Sequence, residues 1–84
     1  MANVMMYFKP TCPYCVKAQA LLSSLGQNFS SIDIAAQPEK RAEMIEKSNG
    51  ATTVPQIFIN DAHVGGCDEL HALHRAGKLS PLLS

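Results

Sequence analysis

Two cysteines with two residues between them, Cys12-Pro13-Tyr14-Cys15, are the part of this chain best suited to chemistry. A thiolate attacks disulfides and a thiol does not, so a reactive cysteine needs surroundings that favour its anion. A helix start is such a place, because its first N–H groups lack carbonyl partners and carry the positive end of the helix dipole. Pro13 suits a first helical turn and places Cys12 at a helix N-terminus, with the positive charge of Lys9 just upstream. Cys15 falls one turn further on, within reach of Cys12 and less exposed. The expectation is thiol–disulfide exchange, with Cys12 as nucleophile and Cys15 as the thiol that resolves a mixed disulfide. Two other readings compete: a pair of ordinary core cysteines, and a zinc site made from Cys12, Cys15, His63 and Cys67. The zinc reading suffers from its spacing, since His63 and Cys67 flank a Gly-Gly turn far from the first pair.

The elements that must hold these sulfurs follow from the apolar pattern. Val4 to Phe8 reads as a buried strand running into the loop Lys9-Pro10-Thr11. From Pro13, the residues Val16, Ala20, Leu21 and Leu25 recur at helical spacing, and Gly26 offers a stop. Phe29 to Ile34 reads as a second strand, parallel to the first through a right-handed crossover. Pro38 opens a second helix carrying Ala42, Met44 and Ile45, capped by Asn49-Gly50. Val54 to Ile59 then reaches a turn at Asn60-Asp61, and His63-Val64 returns as a short antiparallel strand. Gly65-Gly66 breaks that strand. Leu70, Leu73 and Ala76 mark a third helix ended by Gly77, followed by a short tail from Leu79 to Leu83 that packs where it can.

Composition sets the limits. Eighty-four residues leave room for one core, so residues 1–84 read as a single domain, and 46% apolar content is enough to fold it without disulfide staples. Seven basic residues balance seven acidic ones, and no Lys/Arg run exceeds Lys40-Arg41, which argues against nucleic acid or an anionic membrane as partner. The opening MANVMMYF lacks a basic stretch before its apolar residues, and no apolar run approaches membrane-spanning length. A cytoplasmic protein is expected, and a small, evenly charged domain is expected to be a monomer. In a reducing compartment a local cysteine pair is catalytic or metal-binding rather than structural.

Taken together, Cys12-Pro13-Tyr14-Cys15, Thr53-Val54-Pro55 and Gly65-Gly66-Cys67-Asp68 resemble a dithiol glutaredoxin of the small bacterial type, and the likeness runs over nearly the whole chain. The resemblance implies an α/β thioredoxin fold, with a four-stranded mixed sheet in the order 2-1-3-4 flanked by three or more helices. It implies glutathione as reducing co-substrate, with no permanently bound cofactor and no metal. It implies that Val54 offers its backbone N–H and C=O to the cysteinyl part of glutathione, that Pro55 is cis, and that Thr53 and Gly66 belong to the same groove. The γ-glutamyl carboxylate would meet the N–H of Cys67 at a helix start, Asp68 would hold the ammonium group, Lys9 the other carboxylate, and Tyr14 would line the groove. Oxidised or glutathionylated proteins are the implied partners, ribonucleotide reductase among the candidates. One position departs from the family: Ala51 stands where many relatives place Gln or Arg against the glycyl carboxylate, a loss of about 1 to 3 kcal/mol unless Lys9 or Gln37 compensates.

The remaining polar and aromatic residues have plainer readings. Cys67 is expected to be a small residue of the groove wall whose backbone matters more than its sulfur. His63, His71 and His74 read as surface residues. Met5, Met6, Tyr7 and Phe8 read as core, and Glu39, Lys40, Arg41, Glu43, Glu46 and Lys47 as a solvated helical face of mixed sign. Two functional rivals remain. One is an iron–sulfur carrier sharing a cluster through Cys12 and glutathione, which Pro13 argues against. The other is an oxidoreductase fed by a thioredoxin reductase.

Overall fold

A computed structural model describes residues 2–83 of the chain. The elements run β1 (Val4–Phe8), α1 (Pro13–Ser24), β2 (Phe29–Asp33), α2 (Glu39–Lys47), β3 (Gln56–Ile59), β4 (Ala62–Gly65), α3 (Cys67–Arg75) and α4 (Leu79–Leu83). The strands form one sheet in the order β2-β1-β3-β4, with β1 parallel to β2 and antiparallel to β3, and β3 antiparallel to β4. This is the expected mixed sheet, flanked by four helices.

The unbroken apolar character of β1 has a physical reason, because both faces of this inner strand are covered. Val4 and Met6 point to a core shared with Ala18 and Leu22 of α1, Ile57 and Ile59 of β3, Leu70 of α3, and Leu79 and Leu83 of α4. Tyr7 points the other way, to a smaller core with Ile34, Met44 of α2 and Phe58. The alternation of period two along β1 and β3 separates these two cores.

Three details differ from the expectation. First, the buried side of α1 is Cys15, Ala18 and Leu22, while Val16 is 57% exposed and Ala20 is exposed. The helix is apolar on nearly every side, so spacing alone left its orientation open, and small Ala18 sits where the helix meets the sheet. Second, the residues after Gly77 form the short helix α4, whose Leu79 and Leu83 are buried in the larger core. Third, the regular ladder of β3 begins at Gln56, two residues later than expected, because the Val54–Pro55 peptide bond is cis and the preceding residues form a bend.

The ends of α1 and α3 are built alike. In α1 the N–H of Gln27 reaches the carbonyl of Leu22 at 3.0 Å, and in α3 that of Lys78 reaches Leu73 at 2.9 Å, each wrapping over a glycine. The hairpin between β3 and β4 turns on Asn60 and Asp61, with φ of 52° and 67°, the left-handed pair a two-residue loop requires. Among the described residues no helix is long and apolar enough to cross a membrane.

Candidate active site

Cys12 is the N-cap residue of α1, in extended conformation with φ −91° and ψ 114°, and Pro13 begins the helix. An N-cap side chain turns back over the first helical turn, where it can accept a free N–H. Here the acceptor is sulfur: the N–H of Cys15 donates to Cys12 Sγ at 3.4 Å. The Cys12 thiol in turn donates to the carbonyl of Val54 at 3.6 Å, which ties the start of α1 to the bend before Pro55. Cys12 is half-buried, whereas Cys15 is 1% exposed on the inner side of the helix. Burial pushes the Cys15 thiol up to about 12, a backbone hydrogen bond from Lys9 opposes this, and the neighbouring Cys12 adds to the rise. All three cysteines are free thiols.

Beside Cys12 lies a groove of about 250 Å³ lined by Tyr14, Thr53, Val54, Pro55, Gly66, Cys67, Asp68 and Glu69. It draws together the expected residues of the α1 start, the cis-proline bend and the α3 start. Lys9 is exposed and does not line it, and neither does Ala51 or Gln37.

Gly65 and Gly66 shape the groove's far wall. Gly65 turns the chain out of β4 with φ of 118°, a region side chains rarely enter. Gly66 runs so close to the bend that a Cβ there would lie 3.3 Å from the Pro55 carbonyl. Helix α3 then begins at Cys67, so the first N–H groups at this end lack carbonyl partners within the helix. Cys67 itself is buried at 6% exposure, and its thiol is pushed up by desolvation and by the charge of Asp68, against the pull of Lys17.

Sequence reasoning missed three supports. The carboxylate of Glu69 accepts the N–H of Gly66 at 3.0 Å and lines the groove as well. A Glu three positions after an N-cap is a capping signal, obscured here because glycine occupies the cap. Buried Gln56 donates its amide to the Thr53 carbonyl at 2.9 Å and pairs with His63 at 2.7 Å, fixing the bend from behind. Tyr7 donates to Glu43 at 2.6 Å, so one carboxylate of the charged α2 face closes the smaller core. His63 packs on Phe58 in that core, on the sheet face opposite Cys67, which removes the arrangement a zinc site would need. Among the described residues no three His, Cys, Asp or Glu side chains form a metal-holding group.

A vicinal dithiol with one accessible and one buried sulfur, set at a helix start beside a cis-proline bend on this sheet, defines a thiol–disulfide oxidoreductase of the thioredoxin fold. Residues 4–64 match the glutaredoxin family model. The chain is 58% identical over 83 residues to glutaredoxin 3 of Escherichia coli K12, covering 99% of each, and 54% identical over 84 residues to a glutaredoxin of Pseudomonas aeruginosa, covering 100% of this chain and 99% of the relative. Among solved structures, a glutaredoxin from Brucella melitensis superposes with a TM-score of 0.86 at 54% identity, over 99% of this chain and 89% of that one. A buckwheat glutaredoxin in complex with glutathione superposes with a TM-score of 0.89 at 32% identity, over 98% of this chain and 76% of that one. The chain therefore belongs to the glutaredoxin family, as a small bacterial-type dithiol member.

Proposed function

We propose that residues 1–84 act as one domain that uses glutathione to reduce protein disulfides and protein–glutathione mixed disulfides in a reducing, cytoplasmic compartment. The observation that carries this reading is the position of Cys12 Sγ, capped by the Cys15 N–H and joined to the carbonyl of Val54, which lines the groove. The buckwheat relative is solved with glutathione, which supports that tripeptide as the occupant.

In the reaction with a glutathionylated protein, Cys12 thiolate attacks the glutathionyl sulfur, the Cys12–glutathione bond forms, and the protein thiolate leaves. A second glutathione thiolate then attacks that disulfide, releasing oxidised glutathione and regenerating Cys12. Once Cys12 has lost its proton, the Val54 carbonyl is free to accept an N–H from the cysteinyl residue of glutathione. The γ-glutamyl carboxylate meets the N–H groups at the start of α3, and its ammonium group meets Asp68. Lys9, exposed beside this site, meets the glycyl carboxylate by swinging toward the groove. With a protein disulfide, Cys12 first forms a mixed disulfide with one target sulfur. The Cys15 thiol then passes its proton to the departing target thiolate as the Cys12–Cys15 bond forms, and two glutathione molecules in succession reopen that bond, restoring both thiols and leaving as oxidised glutathione. The high proton affinity of buried Cys15 keeps it from competing as a first nucleophile. Ribonucleotide reductase is a candidate among the protein targets.

The test is reduction of a glutathionylated small disulfide, coupled to glutathione reductase and NADPH. Cys12→Ser is expected to abolish turnover. Cys15→Ser is expected to retain it while losing reduction of protein disulfides, and equal loss of both activities in Cys15→Ser would overturn the division of labour.

A further inference from the structure

Next to the groove, and sharing Tyr14, Cys67 and Asp68 with it, lies a second crevice of about 250 Å³ between α1 and α3. Its outer rim is Lys17, His71 and Arg75. Lys17 and Arg75 on it are exposed, while His71 is half-buried with its Nε2 closed off from solvent and unpartnered among the described residues. The placement follows from helix geometry: Tyr14 and Lys17 are three apart on α1, while Asp68, His71 and Arg75 fall on one face of α3 at spacings of three and four. Lys17 stands over the Tyr14 ring, 5.5 Å from its centre, and so is held at the junction of the two cavities. Among the described residues neither Lys17 nor Arg75 pairs with a carboxylate, the ion pair present being Lys40 with Glu43. Asp68 on the wall shared with the groove is the one anion against these two cations, and in the reading above it meets the ammonium group of glutathione, so the crevice presents a net positive charge to a second ligand. Val16, 57% exposed, and Tyr14, 56% exposed, add apolar surface on the same end of α1.

Resting on the proposed function, we infer that this crevice docks an acidic segment of the target polypeptide flanking its disulfide or glutathionylated cysteine, and so selects among protein substrates. Charge complementarity names the occupant: carboxylates on the segment meet Lys17 and Arg75, while glutathione fills the neighbouring groove. The crevice shares one wall with that groove, so a chain whose cysteine has reacted at Cys12 has a continuous path across Tyr14 to the basic rim.

The experiment uses the full chain and three probes: a glutathionylated synthetic peptide with Asp and Glu around its cysteine, the same peptide with Asn and Gln, and a small glutathione mixed disulfide. Wild type is expected to favour the acidic peptide by about tenfold in kcat/KM at low salt, the preference fading at about 0.5 M salt. Lys17→Gln with Arg75→Gln is expected to erase that preference while the small disulfide turns over as before. No acidic preference in a wild type that turns over the small disulfide overturns the inference and leaves the proposed function standing. Equal loss on all three probes in the double variant also overturns it and assigns the cations to glutathione. A wild type inactive on the small disulfide defeats the proposed function itself.

Discussion

Helices α1 and α3 both start at a cysteine, and both starts border the same groove, yet the two sulfurs live in different surroundings. In α1 the cysteine is the N-cap, so its side chain folds back to accept the Cys15 N–H and donates to the carbonyl of Val54, a residue of the groove. In α3 glycine takes the cap and the cysteine is one position inside, where its side chain turns to the core and its thiol is held protonated by burial and by Asp68. A helix start therefore does not by itself fix the surroundings of a cysteine. What matters is a shift of one position along the helix, which exchanges an N–H donor for apolar neighbours.

The largest expected effect tests this contrast directly. Iodoacetamide at neutral pH is expected to alkylate Cys12 and spare Cys67 and Cys15, read by mass spectrometry of peptides. Cys67→Ala is expected to leave turnover near wild type at a stability cost of about 1 kcal/mol. Comparable labelling of Cys12 and Cys67 would erase the distinction between the two starts.

A smaller effect sharpens the role of the α3 cap. Gly66→Val places branched carbons against the Pro55 carbonyl and into the groove. KM for a glutathione mixed disulfide is expected to rise about tenfold, equivalent to about 1.4 kcal/mol, while alkylation of Cys12 continues. Unchanged KM would show that the groove wall is not where glutathione binds.

The buried thiols also set a pH dependence. Cys15 has a proton affinity raised from 9.0 to about 12, and Cys67 is raised as well, so both prefer the thiol in the folded state. Their contribution to stability is complete below the ordinary thiol range and is lost as pH climbs from about 9 toward 12. Urea unfolding under reducing conditions is expected to show the loss at about pH 10.5 relative to neutral pH, and Cys15→Ala to show less of it. A flat profile in the wild type would contradict the burial of Cys15.

The smallest effect lies on the opposite sheet face, away from both helix starts. Tyr7→Phe removes the hydrogen bond to half-exposed Glu43 and is expected to cost about 0.5–1 kcal/mol in thermal or urea unfolding, with turnover unchanged. Burial raises the proton affinity of Tyr7, and the same bond holds Glu43 below the usual carboxylate range. A large loss of activity would couple this face to the site.

Much of this arrangement was legible in the residues. The order of strands and helices follows from apolar runs punctuated by Pro13, Gly26, Asn60-Asp61 and Gly77, each of which does in the fold what its chemistry favours. Cys12 at a helix start was readable because Pro13 marks the first turn. The rest depended on contacts between distant residues. The buried side of α1 is chosen by the sheet, since Val16, Ala18 and Leu22 are all apolar. Glu43 looks like any other charge on a mixed helix until Tyr7 is seen beneath it. Gln56 shows its role only when Thr53 and His63 stand on either side.

The strand order has a consequence for how the molecule is made. β1 precedes the other strands, yet it is an inner strand whose partners arrive at residues 29–33 and 56–59. Until Ile59 has emerged from the ribosome, one of its edges stays open, and the loop with Cys12 that follows it has no fixed platform. Neither core can close before β3 is in place, so shorter partial chains are exposed to pairing with one another, and the dithiol acquires its geometry only after that strand has joined.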